Sequence, residues 1–182
     1  MGAGFSTKQP WVRDTHGAMS LTPVWRIGHA KQGWKYKYGT NWYSTQLDRV
    51  IGETPSDLGK LTVRPLLGGY GYTRLIGRRT SVAANLLGGY AFTSFSLNGT
   101  AGDRYRNSLG VATVEADAAN TFVLKPEVST WIDLSPKIGL NISTGYMVAR
   151  PHVILRTPAG QDKRRVNADM MMIKVGIVYS IF

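Results

Sequence analysis

The sequence lacks the features that define several common protein classes. Cysteine is absent from the 182 residues, which excludes a disulfide framework and a thiolate metal site. There is no run of about eighteen apolar residues, which excludes a transmembrane helix but not a transmembrane barrel. Charged residues make up 18% of the chain, below the roughly 25% of ordinary soluble domains. With three dispersed histidines, neither a metal site nor a cofactor is expected.

Glycine and aromatic side chains are abundant. The chain has 21 glycines, and aromatic residues, mostly Tyr and Trp, reach 10%. Glycine suits a sheet with many turns and suits helices poorly, while Tyr and Trp are favoured at membrane interfaces. The length fits a single domain, 1–182, with enough chain for a sizeable core or a closed barrel.

The net charge of +11 admits three interpretations. They are nucleic-acid binding, attraction to anionic lipid headgroups or lipopolysaccharide phosphates, and simple solubility or the chemistry of a barrel interior. The basic residues are scattered over turns, loops and alternate strand positions, and no nucleic-acid-binding motif is present. We therefore expect no nucleic-acid partner.

The last stretch of the chain has the most informative pattern in the sequence. Val175, Ile177, Tyr179 and Ile181 alternate with a mixed face, which predicts a strand of about ten residues, long enough to cross a bilayer when tilted. The order polar, any, Gly, any, any, aromatic, any, hydrophobic is similar to the C-terminal assembly signal of bacterial outer-membrane β-barrels. Its positions are matched by Lys174, Gly176, Tyr179 and Ile181, and the terminal Phe182 is typical of that class. The resemblance implies a bacterial outer-membrane location and recognition by the barrel-assembly machinery.

Alternating hydrophobicity recurs along the chain. The segment 66–73 is nearly repeated at 86–93, which is explained by neighbouring strands that face the same lipid. A bulge near Gly68 and Gly69 is expected, because both faces of that strand contain apolar residues. Polar loops are predicted at 46–59 and 97–120. Strands are predicted at 2–8, 18–27, 34–45, 60–73, 80–96, 121–133, 138–155 and 164–182.

The whole pattern resembles the eight-stranded outer-membrane barrel families, such as the OmpA transmembrane domain and the OmpW and OmpX types. The fold implied is all-β, an eight-stranded antiparallel up-and-down transmembrane β-barrel, and we expect a monomer. One departure is that no secretory signal precedes Met1. We therefore expect that the signal peptide and part of the first strand are absent from this chain.

Charged side chains fall on the face opposite the lipid. An eight-stranded barrel is normally filled by side chains, so we expect these charges to pair with one another inside. The alternative is a narrow path for small solutes, which would prefer anions because the lining is mostly positive. The candidates for the interior network are Arg26, Lys35, Lys37, Lys125, Glu127, Asp133 and Lys174, with Asp169 as a further acidic partner.

Catalysis finds no support in the sequence. Some outer-membrane barrels are enzymes, which need a nucleophile, a base and an orienting group in one place. His16 and His29 fall in connections at opposite ends, and His152 falls near the outer end of the seventh strand. No serine stands at a recognisable spacing from them. We expect no enzymatic activity.

A basic rim is predicted at the outer ends of the last strands. Arginine can donate two parallel hydrogen bonds to one phosphate, so we hypothesise that the rim contacts lipopolysaccharide. The alternative is that these residues are ordinary solvated loop charges. We interpret the protein as a non-enzymatic outer-membrane barrel, structural or interaction-bearing through its loops. A narrow anion-preferring channel or solute carrier is the alternative. A soluble lipocalin-like barrel is a third interpretation, which is disfavoured because apolar side chains such as Trp34 and Tyr36 are expected to point outward. The rim candidates are Arg150, Arg156, Lys163, Arg164 and Arg165.

Overall fold

The computed structural model describes eight parts of the chain, residues 2–6, 18–20, 24–27, 32–40, 43–51, 54–110, 113–158 and 160–179. Most of these residues are in β-strands, and the described part contains a single helix. The elements are β1 (Gly2–Ser6), β2 (Ala18–Ser20), β3 (Val24–Ile27), β4 (Gly33–Thr40), β5 (Tyr43–Ile51), β6 (Thr54–Leu75), β7 (Thr80–Leu97), α1 (Gly99–Leu109), β8 (Glu115–Ala119), β9 (Thr121–Asp133), β10 (Ile138–Ala149), β11 (His152–Thr157), β12 (Gly160–Arg165) and β13 (Met170–Tyr179).

The main sheet is an antiparallel ladder of ten of these strands. Its order is β2-β1-β13-β10-β9-β7-β6-β4-β3, and β5 pairs with the first half of β6, before the part that pairs with β4. The last strand pairs with the first, with Lys174 opposite Gly2. The two ends of the ladder, β2 and β3, are neighbours in sequence, with residues 21–23 between them.

Eight strand passes result when consecutive pieces are joined. β2 and β3 form one pass and β4 and β5 another, and β1, β6, β7, β9, β10 and β13 supply the remaining six. The fold is an eight-stranded antiparallel up-and-down transmembrane β-barrel, as predicted. We call the end with the short turns 76–79 and 134–137 the turn end, and the opposite end the loop end. No described helix is both long and apolar enough to span a membrane.

Strand β9 shows why the chain folds with apolar side chains outward. Its bounds are those predicted, and its side chains alternate without interruption. Phe122, Leu124 and Val128 are exposed on the outside, whereas Lys125 and Glu127 are buried inside. Because lipid is as apolar as a protein core, this polarity is stable only when the outer surface faces hydrocarbon. The soluble lipocalin-like alternative requires the opposite polarity.

Strand β6 has no bulge at the predicted position near Gly68 and Gly69. Its pairing with β7 runs without a register shift from Gly59 to Leu75. The register shift lies instead in its pairing with β5, where Leu47 is opposite Gly59 and Asp48 is opposite Asp57, so that Leu58 of β6 is the extra residue. The two related segments pair with each other, antiparallel and centred on Gly68 opposite Gly88. The prediction that they form neighbouring strands is confirmed, whereas the predicted bulge is wrong.

The connections at the loop end contain more regular structure than predicted. The expected loop 46–59 is mostly the β5–β6 hairpin, and the expected loop 97–120 contains α1 and β8. The seventh and eighth predicted strands are each divided, at Arg150–Pro151 and at 166–169. Beyond these breaks, β11 and β12 form a hairpin that joins β8 in a three-stranded sheet of order β12-β11-β8, which we call the outer sheet.

The interior has two layers. At the loop end it is apolar, because Leu61 and Val63 of β6, Phe95 of β7 and Met147 of β10 are buried together with Ala101 of α1. A polar layer with Lys37, Lys125, Glu127 and Lys174 lies nearer the middle of the barrel. The expectation of a polar inner face is therefore correct only for this second layer.

Candidate functional site

Glu127 is the centre of the buried polar layer. Lys125 and Glu127 are two residues apart in β9 and therefore share the inward face. The ammonium of Lys125 donates a 2.6 Å hydrogen bond to Oε2 of Glu127, and Lys37 of β4 donates to Oε1. Lys174 of β13 approaches from a third strand, with its Nζ 3.9 Å from Oε2. Three strands therefore direct ammonium groups at one carboxylate, which is 1% exposed.

A glycine makes room for this cluster. Gly145 of β10 lies opposite Glu127 in the ladder. A side chain at this position would lie 2.9 Å from the carbonyl oxygen of Pro126 and 3.2 Å from Cε of Lys125. A Cβ at this position would therefore be crowded by the backbone of β9 and by the stem of Lys125.

The remaining interior candidates are distributed differently. Lys35 is buried in β4, one inward position from Lys37. Asp133 is exposed at the turn end of β9, where its backbone N–H donates to the carbonyl of Arg79, so it lies outside the buried layer. The side chain of Arg26, in β3, lies outside the described part of the structure. Of the seven candidates, the structure brings Lys37, Lys125, Glu127 and Lys174 together.

A neutral polar group extends this layer toward the turn end. The indole N–H of Trp131 donates to Ser129 Oγ at 3.2 Å, and the amide of Asn85 donates to the same oxygen at 3.4 Å. The inward parity of these residues was visible in the sequence. Their convergence on one hydroxyl depends on the pairing of β7 with β9, which no sequence signal specifies.

Asp169 lies at the barrel rim, between β12 and β13, and contacts the end of β10. Its Oδ1 accepts a 2.9 Å hydrogen bond from the backbone N–H of Ala149, and its Oδ2 accepts one of 3.3 Å from Tyr146. Arg150, one of the predicted rim residues, places Nη2 3.9 Å from Oδ2. Asp169 is therefore a rim residue, and its described contacts are with Ala149, Tyr146 and Arg150 rather than with the lysines around Glu127.

The outer sheet presents a basic face at its edge strand. Lys163 and Arg165 alternate with Arg164 in β12, so they share one face while Arg164 lies on the other. The guanidinium of Arg164 donates a 2.9 Å hydrogen bond to Asp162. On β11, His152 pairs with Arg165 and therefore lies on the same face, as does the exposed Arg156.

The C-terminal stretch is only partly described. Lys174 points inward and is buried, Gly176 pairs with Asn141 of β10, and Tyr179 pairs with Ile138. Ile181 and Phe182 lie outside the described residues, and so do His16 and His29. His152 is half-buried in β11. Within the residues that are described, no group of three or more His, Cys, Asp or Glu side chains could hold a metal ion.

Comparison with known proteins gives a structural match without a sequence match. No protein-family model matches the chain, and no curated protein sequence does. The crystal structure of the outer membrane protein OprG from Pseudomonas aeruginosa superposes with a TM-score of 0.73, covering 98% of this chain and 88% of that one. At 15% sequence identity, this similarity shows the fold alone, which is that of an outer-membrane β-barrel.

Proposed function

We propose that the chain is a non-enzymatic outer-membrane protein of Gram-negative bacteria, in which a filled barrel anchors the outer sheet and the outer sheet binds lipopolysaccharide. The observation that carries this proposal is the basic face of Lys163 and Arg165 just beyond the barrel rim. The similarity in fold to an outer-membrane protein supports the location. A monomer that is inserted by the barrel-assembly machinery is part of the same proposal.

The aromatic side chains give the depth of the barrel in the bilayer. Trp34 packs edge-on against Tyr72 near the turn end, and Tyr90 packs against Phe92 and Phe122 near the loop end. Tyr72 pairs with Ala84 of β7, and the strand advances about 26 Å from Ala84 to Phe92 at its usual rise. Because the strands of such barrels tilt by roughly 35–45°, this length covers about 20 Å along the membrane normal, which is comparable with an apolar band of roughly 25 Å between two aromatic girdles.

The basic face lies at the height of the outer headgroups. Val123, next to the girdle residue Phe122, pairs with Ala149, the last residue of β10. Arg150 follows directly, and Arg165 lies opposite His152, about 7 Å further along the chain. Lipopolysaccharide places phosphates at this height, where arginine can donate two parallel hydrogen bonds to one phosphate.

The two faces of β12 provide the test. We expect Lys163→Ala/Arg165→Ala to weaken the binding of fluorescently labelled lipopolysaccharide to the detergent-folded protein about tenfold, since two exposed charge-assisted contacts are lost. Arg164→Ala is the matched control, because Arg164 lies on the other face and pairs with Asp162. We expect its affinity to stay within about twofold of the unsubstituted protein. Equal affinity for the double variant and the unsubstituted protein would contradict the proposal.

A narrow anion-preferring channel is the second candidate function. The excess of buried lysines favours it, whereas the apolar layer at the loop end opposes it, since Leu61, Val63 and Met147 fill the interior there. We expect planar bilayers containing the purified protein to show no discrete conductance steps. Reproducible conductance steps with a preference for anions would contradict the anchoring function and support the channel.

A further inference from the structure

The buried layer contains more positive than negative charge. Among the described side chains that are buried, four are lysines and two are carboxylates, Glu127 and Asp169. Asp169 is engaged at the rim by Arg150 and by a backbone N–H. Glu127 is therefore shared by Lys37, Lys125 and Lys174, and one negative charge faces three ammonium groups.

This imbalance is costly in a barrel interior. A buried charge persists when a counter-charge and hydrogen bonds replace the water that it has lost. Glu127 hydrogen-bonds Lys37 and Lys125, but its distance of 3.9 Å from the Nζ of Lys174 is too long for a hydrogen bond. Lys174 is therefore the member of the cluster with the weakest contact to the shared carboxylate.

A small cavity adjoins the same three lysines. Its charged wall is formed by Lys37, Lys125, Lys174 and Glu127, and Leu67 and Leu87 contribute an apolar wall. It has room for a water-sized group. Its apolar wall lowers the local polarizability, which strengthens the attraction between an ammonium and an anion.

We propose that this cavity binds a small monovalent anion of the size of chloride. The anion lies beside Lys174, the ammonium held least closely by Glu127, and supplies negative charge that the described interior lacks. The inference concerns the interior and is independent of lipopolysaccharide binding at the outer sheet.

The first experiment locates the anion directly. Crystals of the detergent-folded protein grown in sodium bromide should show an anomalous bromide peak in the cavity, within hydrogen-bond reach of Lys174 Nζ. Density at this position without anomalous signal, or bromide found only on the outer surface, would overturn the proposal. No substitution is needed, so the result does not depend on a variant folding.

The second experiment tests whether the anion is bound in solution. We expect replacing sodium gluconate by sodium chloride at constant ionic strength to raise the unfolding temperature of the folded protein by about 5 °C, with a saturating dependence on chloride. The shift should disappear in Lys174→Met and persist in Lys137→Met, where an exposed lysine in a short turn is replaced. The proposal requires this result together with the bromide peak. A shift that is absent from the unsubstituted protein, or unchanged in Lys174→Met, overturns it.

Discussion

Individual glycines allow β6 and β7 to pair without steric overlap. Gly69 of β6 and Gly89 of β7 lie on the inner face, where the two related segments pair. A Cβ at Gly69 would overlap the carbonyl oxygen of Leu86, and one at Gly89 would overlap that of Leu66. These clashes involve backbone atoms, which cannot move without disturbing the ladder.

Gly89→Ala should therefore destabilise the folded barrel by about 1–3 kcal/mol, the usual cost of overpacking. Gly88→Ala is the matched control, because a Cβ there would meet only the carbonyl oxygen of Val123, at the ordinary contact distance of 3.9 Å. Urea unfolding of both variants in lipid vesicles measures the difference. Equal midpoints and slopes for the two variants would mean that the close approach has no energetic consequence.

At the scale of an element, β9 shows how the membrane selects a strand face. Its outward side chains are apolar and its inward ones include the Lys125–Glu127 pair. Leu124 pairs with Gly88, halfway between Ala84 and Phe92, and therefore lies near the middle of the apolar band. Leu134 is also exposed but follows the strand, in a short turn.

Leu124→Arg should lower the unfolding free energy in vesicles by about 2–4 kcal/mol, because the charge enters the centre of the hydrocarbon. Leu134→Arg should cost about 0–1 kcal/mol, because a charge at the interface stays hydrated. Equilibrium unfolding into urea gives both values. The placement of the bilayer would be wrong if the turn substitution proved the more costly of the two.

At the scale of the whole molecule, β1 and β13, the first and last strands described, pair with each other. We expect the detergent-folded protein to migrate faster before boiling than after it, because a closed barrel stays compact in the gel. Circular dichroism of the unboiled sample should show mainly strand. A protein that is soluble without detergent and shows no mobility shift would contradict a membrane barrel.

The sequence was sufficient to predict the bounds of a strand and the direction of its side chains where one face of the strand differs clearly from the other. The bounds of β9 were predicted without error because Phe122, Leu124 and Val128 alternate with Lys125 and Glu127. In β6 the same rule failed, because Leu61 and Val63 make the inner face as apolar as the outer one. Only packing against Phe95 of β7 and Ala101 of α1 shows that these two side chains face inward.

The sequence alone determined the number of strand passes, their up-and-down order and the outward direction of the girdle aromatic residues such as Trp34 and Tyr90. The physical reason is local, since lipid imposes the same apolar requirement on every exposed position of every strand. Tertiary structure decided which charges meet, because Lys37 and Glu127 are 90 residues apart and become neighbours only through strand pairing. It also decided that the interior is apolar at one end and charged nearer the middle. That division depends on the outer sheet and α1 covering the loop end, and no single strand encodes such long-range packing.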